Sequence, residues 1–179
     1  LAADLLSQAE HDPRARAIMV TNSEKLAQLV SDEVERQLLQ LPRESIARPA
    51  IENNSYIAVM DSVEDMFTVM NEVAPEHLEI QLPDPMEYMS MVENAGSVFL
   101  GRYASEPLGD YVGGTNHVLP TSGTAKFSSP LGVYDFVKRI SFTQFSRERL
   151  QEVAKDITTL ARTEGLEAHA RAIEVRFEK

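Results

Sequence analysis

The sequence has 179 residues, of which 43% are hydrophobic and 25% are charged. This length and composition are typical of one globular domain, or of one domain with an extension, and they exclude a disordered or collagen-like chain. The chain has 17 Lys and Arg residues against 28 Asp and Glu residues, a formal net charge of −11. Such an acidic protein is not expected to bind nucleic acid or an anionic membrane surface.

The sequence contains no cysteine, which excludes disulfides, thiolate metal sites and thiol nucleophiles within it. Its apolar runs are far shorter than the ~20 residues that a membrane helix requires, and no leader pattern opens the chain. We therefore expect a soluble protein of the cytoplasm. Because the first residue is Leu1 rather than Met, we also expect the sequence to be a fragment or a processed product.

Up to residue 100, predicted strands alternate with predicted helices. Residues 2–8 have a helical pattern, and Ser23 is a suitable cap for a helix over 24–41 with its apolar residues three and four positions apart. Strands are predicted at 17–20, 56–60, 77–81 and 97–100, and further helices at 63–73 and 86–94. This alternation predicts an α/β fold with a mainly parallel sheet and flanking helices, an incomplete Rossmann-like domain.

The periodicity fails over residues 101–130, which are rich in Gly, Ser, Thr, Asn and Pro. Long ordered loops of this kind commonly carry functional residues. Beyond them the pattern predicts a helical turn at 134–139, a strand at 140–145, and two helices, at 150–163 and 166–177, that are interrupted by Gly165. We therefore divide the chain into an α/β body, residues 1–130, and a mostly helical C-terminal extension, residues 131–179.

Several side chains could bind a metal, although each also has an ordinary structural interpretation. Gln8 and His11 lie three residues apart on a predicted helix and could chelate one centre, or they could be a solvated helix end. Asp110 could supply a carboxylate oxygen or simply belong to a turn. His169 lies between two alanines and could approach a ligand, or it could be a solvated helical histidine.

Other polar residues could line a pocket. Glu76 and His77 open a predicted strand after Pro75, and the ends of strands are where α/β sheets bind ligands; an exposed glutamate and a half-buried histidine are the alternative. His117 follows a Gly-Gly pair that permits close approach of the backbone to a ligand. Glu164 is five positions from His169, so the two share a helix face only if Gly165 bends the chain.

Motifs typical of nucleotide-binding proteins and of serine hydrolases are absent from the sequence. The sequence contains no GxGxxG or Walker motif, so it has no nucleotide-binding fingerprint. It also lacks the GxSxG motif of many serine hydrolases.

Four separated motifs occur together. They are Ala74-Pro75-Glu76-His77-Leu78-Glu79, then Gly109-Asp110-Tyr111 with Gly114-Thr115-Asn116-His117-Val118-Leu119-Pro120-Thr121-Ser122-Gly123, then Phe127-Ser128-Ser129, and finally Glu164-Gly165-Leu166-Glu167-Ala168-His169. In this order, and with the opening residues 4–11, they make the whole chain resemble the histidinol dehydrogenase family. One departure is Pro130, at a position where the family is expected to have glycine.

The resemblance implies that L-histidinol is oxidised to the aldehyde and then to L-histidine with two NAD, the final steps of histidine biosynthesis. It implies zinc ligands at Gln8, His11, Asp110 and His169, acid/base residues at Glu76 and His77, and substrate contacts at His117 and Glu164. Glu106 is a further candidate for the substrate pocket. The resemblance also implies a homodimer with shared active sites, in which the C-terminal segment completes the partner's site.

Members of this family are considerably longer, and most of their NAD contacts are expected in the region that precedes the matched part. One alternative is therefore that the chain by itself is a zinc-binding dimerisation fragment without activity. An unrelated zinc-dependent hydrolase is the other alternative, since it would also use His, Asp and Glu around a metal but would not require NAD.

Overall fold

The computed structural model of the chain describes residues 1–178. The chain forms two compact units, Leu1–Phe136 and a second that begins at Val137, and each is described separately. The predicted boundary between residues 130 and 131 falls within the first unit, and the assignment of roles to the two parts stays a prediction. No helix within the described residues has the length and apolar character needed to cross a membrane.

The first unit begins with a helical layer packed on a parallel strand pair. Its elements are α1 (Ala2–Ala9), β1 (Ile18–Thr21), α2 (Glu24–Leu38), α3 (Glu44–Asn54) and β2 (Tyr56–Val59). Strand β1 pairs in parallel with β2, with Ile18 opposite Tyr56. Apolar residues of the three helices and β1 form one core, which includes the fully buried Leu38.

A second parallel pair follows in the same unit. Its elements are α4 (Val63–Val73), β3 (His77–Ile80), a 3₁₀ segment (Pro85–Met91) and β4 (Ser97–Leu100). Strands β3 and β4 pair with His77 opposite Ser97. Phe67, Leu78 and Ile80 are buried in a second core. The α/β class and the parallel strands are thus confirmed, but the strands form two separate pairs rather than one sheet.

Local capping explains several element boundaries. Ser23 accepts a hydrogen bond from the Leu26 N–H at 3.2 Å, and Ser62 accepts one from the Asp65 N–H at 3.0 Å, so both helices begin at a serine cap. Helix α4 ends at Ala74, which has a left-handed φ of 49°. Pro75 follows and cannot continue the helix.

The predicted helix over 24–41 is wrong in extent, because α2 ends at Leu38 and a separate helix, α3, follows. Sequence reasoning missed α3 because Pro49 lies inside it, where proline normally breaks a helix. Ala47 and Ala50 are fully buried, so tertiary packing compensates for the hydrogen bond that Pro49 cannot donate.

Two expectations for residues 101–145 are also wrong. Residues 101–130 are not structureless, since they contain α5 (Glu106–Tyr111) and a 3₁₀ turn (Thr124–Lys126). Residues 140–145 alternate in polarity but lie in neither strand nor helix. A strand needs a hydrogen-bonding neighbour, and the regular elements described in the second unit are helices.

The second unit is a helical hairpin of α6 (Arg147–Thr163) and α7 (Glu167–Glu174). Gly165 joins the helices with a left-handed φ of 76°. The Gly165 N–H donates to the Arg162 carbonyl at 3.0 Å, and the Leu166 N–H donates to the Ala161 carbonyl at 2.8 Å. This is the Schellman arrangement, and it produces the bend between Glu164 and His169 that the sequence left open.

Replacing Gly165 tests this bend. A Cβ at Gly165 would meet no heavy atom within 4 Å, so an alanine there causes no steric clash. The positive φ alone makes Gly165→Ala unfavourable, and the variant should lose about 1–2 kcal/mol of folding free energy. Gly165→Asn is the matched control, because asparagine tolerates the left-handed region, and it should cost clearly less. Urea unfolding of both variants measures the difference; equal stabilities would contradict the conformational explanation.

Candidate functional site

Strand β3 presents one polar face and one apolar face. Leu78 and Ile80 are buried in the second core, whereas His77 and Glu79 are half-buried on the other side. This division follows from the period of two along a strand. The polar face of β3 borders a cleft in the first unit, of about 590 Å³, which is also lined by Gln8, Glu76 and Glu106.

Helix α5 brings two more carboxylates to this face. Glu106 is its first residue and is only 7% exposed, and Asp110 lies one turn later on the same side. The helix lies close to β4 because Gly109 has no side chain: a Cβ there would lie 2.8 Å from Cζ of the buried Phe99. Sequence reasoning missed this helix, since six residues are too few to establish a helical period.

The side chains of His77, Glu106 and Asp110 form a cluster. One ligand atom from each lies within 4.8 Å of the others, and His77 Nε2 is 4.0 Å from Glu106 Oε1. One imidazole nitrogen and two carboxylate oxygens make a hard donor set that fits a divalent metal ion such as zinc. The cluster shares only Asp110 with the ligand set that the resemblance implies.

Of two other predicted ligands, Gln8 lines the cleft, and His11 is not among the three residues of the cluster. Helix α1 ends at Ala9, so His11 lies in the turn beyond it rather than on the same helical face as Gln8. Pro13 disfavours a helical conformation of Asp12, the residue before it, so the helix does not continue through this segment. His11 is exposed, and its charge acts on the carboxyls of Glu76 and Glu106.

Glu76 is held by the pairing of β3 and β4. Its carbonyl accepts a hydrogen bond from the Ser97 N–H at 2.8 Å. A Cβ at the buried Gly96 would lie only 2.6 Å from this carbonyl oxygen, so the close approach requires glycine there. The backbone of Glu76 is therefore fixed beside His77, and its side chain is half-buried at the cleft.

His117 lies on an exposed loop next to the cluster. Its Nδ1 is 4.0 Å from Asp110 Oδ1. Asn116 forms a local turn around it by accepting the Val118 N–H at 2.8 Å. The first unit thus brings His117 to the acidic cluster.

Glu164 and His169 belong to the second unit, on either side of the Gly165 bend. Both are exposed. Their predicted roles at the metal and the substrate stay predictions.

The clustering shifts the ionisation of three groups. Burial raises the pKa of both Glu76 and Glu106; the negative charge of Asp110 raises it further, while the positive charge of His11 opposes the rise. Burial lowers the pKa of His77, and Asp110 opposes this change. The imidazole of His77 is therefore neutral at neutral pH and able to accept a proton or a metal ion.

Glu79 is a residue of this region that sequence reasoning did not assign to the site. Its Oε1 accepts a hydrogen bond from the Glu106 N–H at 2.9 Å, and its Oε2 accepts one from Gln81 Nε2 at 3.0 Å. The alternation of His77, Glu79 and Gln81 along one strand face was the signal in the sequence. Their partner could not be found without the tertiary structure.

The raised pKa of Glu106 predicts a pH-dependent cost to the metal-free protein. A carboxyl with a higher pKa in the folded state than in the unfolded state destabilises the fold as the pH rises. Glu106→Gln should therefore raise the urea midpoint most at neutral pH, and the gain should vanish below the unfolded pKa of about 4.3. Unfolding in the presence of a chelator across this pH range measures it.

The exposed Glu87 provides the control for this prediction, since Glu87→Gln should change the midpoint little at any pH. A Glu106→Gln variant whose gain is the same at pH 4 and pH 7 would contradict ionisation as the cause.

Comparisons with known proteins agree with the motifs. A family model described as histidinol dehydrogenase matches residues 1–177. The histidinol dehydrogenase of Lactiplantibacillus plantarum is 66% identical over 178 residues, which is 99% of this chain and 42% of that protein. That of Streptococcus mutans is 62% identical over 179 residues, 100% of this chain and again 42% of the relative.

A crystal structure of histidinol dehydrogenase from Elizabethkingia anophelis has a similar fold. It matches with a TM-score of 0.79 and 41% sequence identity over 98% of this chain and 40% of that one. The chain spans about 42% of the length of the curated relatives named above. The chain belongs to the histidinol dehydrogenase family.

Proposed function

We propose that the chain supplies the acid/base and metal-binding residues of an enzyme that oxidises L-histidinol to L-histidine with two NAD. Membership of the family supports this reaction. The observation that carries the proposal is the convergence of His77, Glu106 and Asp110 in one cluster, with Glu76 next to His77 at the cleft that Glu106 also lines. A cytoplasmic location is proposed with it, in keeping with a sequence that has no cysteine.

In the proposed first step, His77 is the general base. The substrate hydroxyl gives its proton to the imidazole while a hydride leaves the same carbon for NAD, which produces the aldehyde. The lowered pKa of His77 supports this role, because burial keeps the ring neutral and able to accept a proton. The ring of Phe99 lies beside His77, with ring centroids 6.1 Å apart.

In the proposed second step, Glu76 activates water. The aldehyde must gain an oxygen before a second hydride leaves for NAD, and the sequence offers no cysteine for a thioester route. Glu76 removes a proton from the attacking water. Burial raises the pKa of its carboxyl, which makes the carboxylate a stronger base than a solvated glutamate.

Zinc is the proposed metal. Gln8, His11, Asp110 and His169 are its proposed ligands, with His117, Glu106 and Glu164 toward the substrate. A zinc ion at such nitrogen and oxygen donors would orient the nitrogens of the substrate and act as a Lewis acid. Glu106 lies beside Asp110 in the cluster. This position supports a contact between the Glu106 carboxylate and a cationic amino group of the substrate.

A homodimer with shared sites is the proposed assembly. Large apolar side chains are exposed in each unit taken separately: Phe127 is 82% and Phe136 79% exposed in the first, and Phe142 is 90% and Ile140 62% exposed in the second. Exposed aromatic residues in this number favour an interface with another protein surface. A second copy of the chain is the partner that the family relationship favours.

The alternative is a zinc-binding dimerisation fragment without activity of its own. Two observations favour it for the isolated chain: the chain spans about 42% of the length of its curated relatives, and its sequence contains no GxGxxG or Walker motif. Adding histidinol and NAD to the isolated chain distinguishes the two, because NADH formation would exclude the alternative.

The proposed roles of Glu76 and His77 predict that variants of the two residues slow different oxidation steps. In the longest natural form of the protein, Glu76→Gln should slow aldehyde oxidation by about 10²- to 10⁴-fold and largely spare alcohol oxidation. His77→Asn should slow both steps, because each requires a proton to leave an oxygen. Single-turnover formation of NADH from histidinol and from the aldehyde measures the two steps separately.

Glu87→Gln is again the matched control, since it changes an exposed glutamate outside the cleft and should leave both steps unchanged. Equal losses in both steps for Glu76→Gln would exclude the proposed division of labour. Absence of histidinol-dependent NADH formation in the wild-type protein with zinc would exclude the function itself.

A further inference from the structure

We propose that Glu79 is a positioning residue that holds the acidic helix α5 against strand β3 and so sets the spacing of Glu106 and Asp110 from His77. The inference deepens the proposed function and rests on it. Glu79 has no place in the proposed chemistry, because its two hydrogen bonds go to the backbone of Glu106 and to Gln81 rather than into the cluster.

The start of α5 depends on this side chain. The first N–H groups of any helix lack partners within the helix, and the usual solution is a capping side chain just before it. Ser105 occupies that position but makes no side-chain capping bond. The Glu106 N–H instead donates to Glu79 Oε1, 27 residues earlier in the chain, at 2.9 Å.

The same bond links the elements that carry the cluster. His77 and Glu79 lie two residues apart on one face of β3, and Glu106 and Asp110 lie one turn apart on α5. A single carboxylate therefore joins the strand of the histidine to the helix of the acids. Gln81 Nε2 donates to Glu79 Oε2 at 3.0 Å, which restricts rotation of the carboxylate and keeps Oε1 directed at the helix.

The charge of Glu79 is unfavourable for the metal-free cluster. Burial is the main cause of the raised pKa of Glu106, but Glu79 adds to it through its negative charge. A neutral cap would hold the helix without this repulsion. The hydrogen bond of Glu79 to α5, and not its charge, is therefore what positions the acidic helix.

The test compares Glu79→Ala with Glu79→Gln in the longest natural form of the protein. Zinc affinity is measured by competition with a chelator, together with kcat and KM for histidinol and the melting temperature of the zinc-free protein. Glu79→Ala removes the acceptor and should weaken zinc binding by about 10- to 100-fold and lower kcat. Glu79→Gln keeps an oxygen that can accept a hydrogen bond from the Glu106 N–H. It should therefore retain most of the wild-type zinc affinity and kcat.

Gln81→Ala is the matched control, since it removes the supporting bond but leaves the one to α5, and it should have a smaller effect than Glu79→Ala. A Glu79→Ala protein that melts lower but binds zinc as tightly as wild type would overturn the proposal in favour of a purely structural role. Failure of Glu79→Gln to rescue zinc binding would also overturn it.

These outcomes are separable from failure of the proposed function. If the wild-type protein with zinc forms no NADH from histidinol, the proposed function fails whatever the variants do. If the wild type is active and binds zinc while Glu79→Ala matches it in both measurements, only the inference about Glu79 fails.

Discussion

The candidate site depends on the contact between helix α5 and the β3–β4 pair. Three features hold this contact: the hydrogen bond from the Glu106 N–H to Glu79, the missing side chain of Gly109 beside Phe99, and the parallel pairing of β3 with β4, which follows the close approach of Gly96 to the Glu76 carbonyl. None of the three residues Glu79, Gly109 and Gly96 carries the proposed chemistry. Together they determine where the ionisable side chains of the cleft lie.

Burial and the charge of Asp110 act together on the carboxyls of this site and against each other on its histidine. Carboxyls that lose water and face another carboxylate gain proton affinity, as the raised pKa of Glu76 and of Glu106 indicates. The same burial lowers the pKa of His77. A neutral imidazole and a carboxyl of raised proton affinity are thus adjacent at the start of β3, as the two proposed proton removals require.

The second unit has the simpler construction of a helix hairpin closed by one left-handed glycine. Arg162 pairs with Glu167 and with Glu174 across the hairpin, and Ala161 and Ala170 are buried in it. Glu164, at the end of α6, and His169, in the first turn of α7, are exposed on either side of the bend at Gly165.

The sequence by itself determined the α/β class, the positions of most helices and strands, and the adjacency of Glu76 and His77. These properties rest on short-range effects, namely periodicity, serine caps and the restrictions of proline, which neighbouring residues carry. The family motifs, which the comparisons bear out, also belong to the sequence. Their assignment to zinc, substrate and proton transfer remains a proposal.

Only the tertiary structure decided that the strands form two pairs, that α3 tolerates Pro49, and that a helix lies in the apparent loop after residue 100. It likewise decided that His77, Glu106 and Asp110 converge and that Glu79 joins their elements. The physical reason is that α5 is too short to be stable through its own hydrogen bonds. It forms because residues about 27 positions earlier supply a cap and a strand supplies Phe99, and no local pattern contains that information.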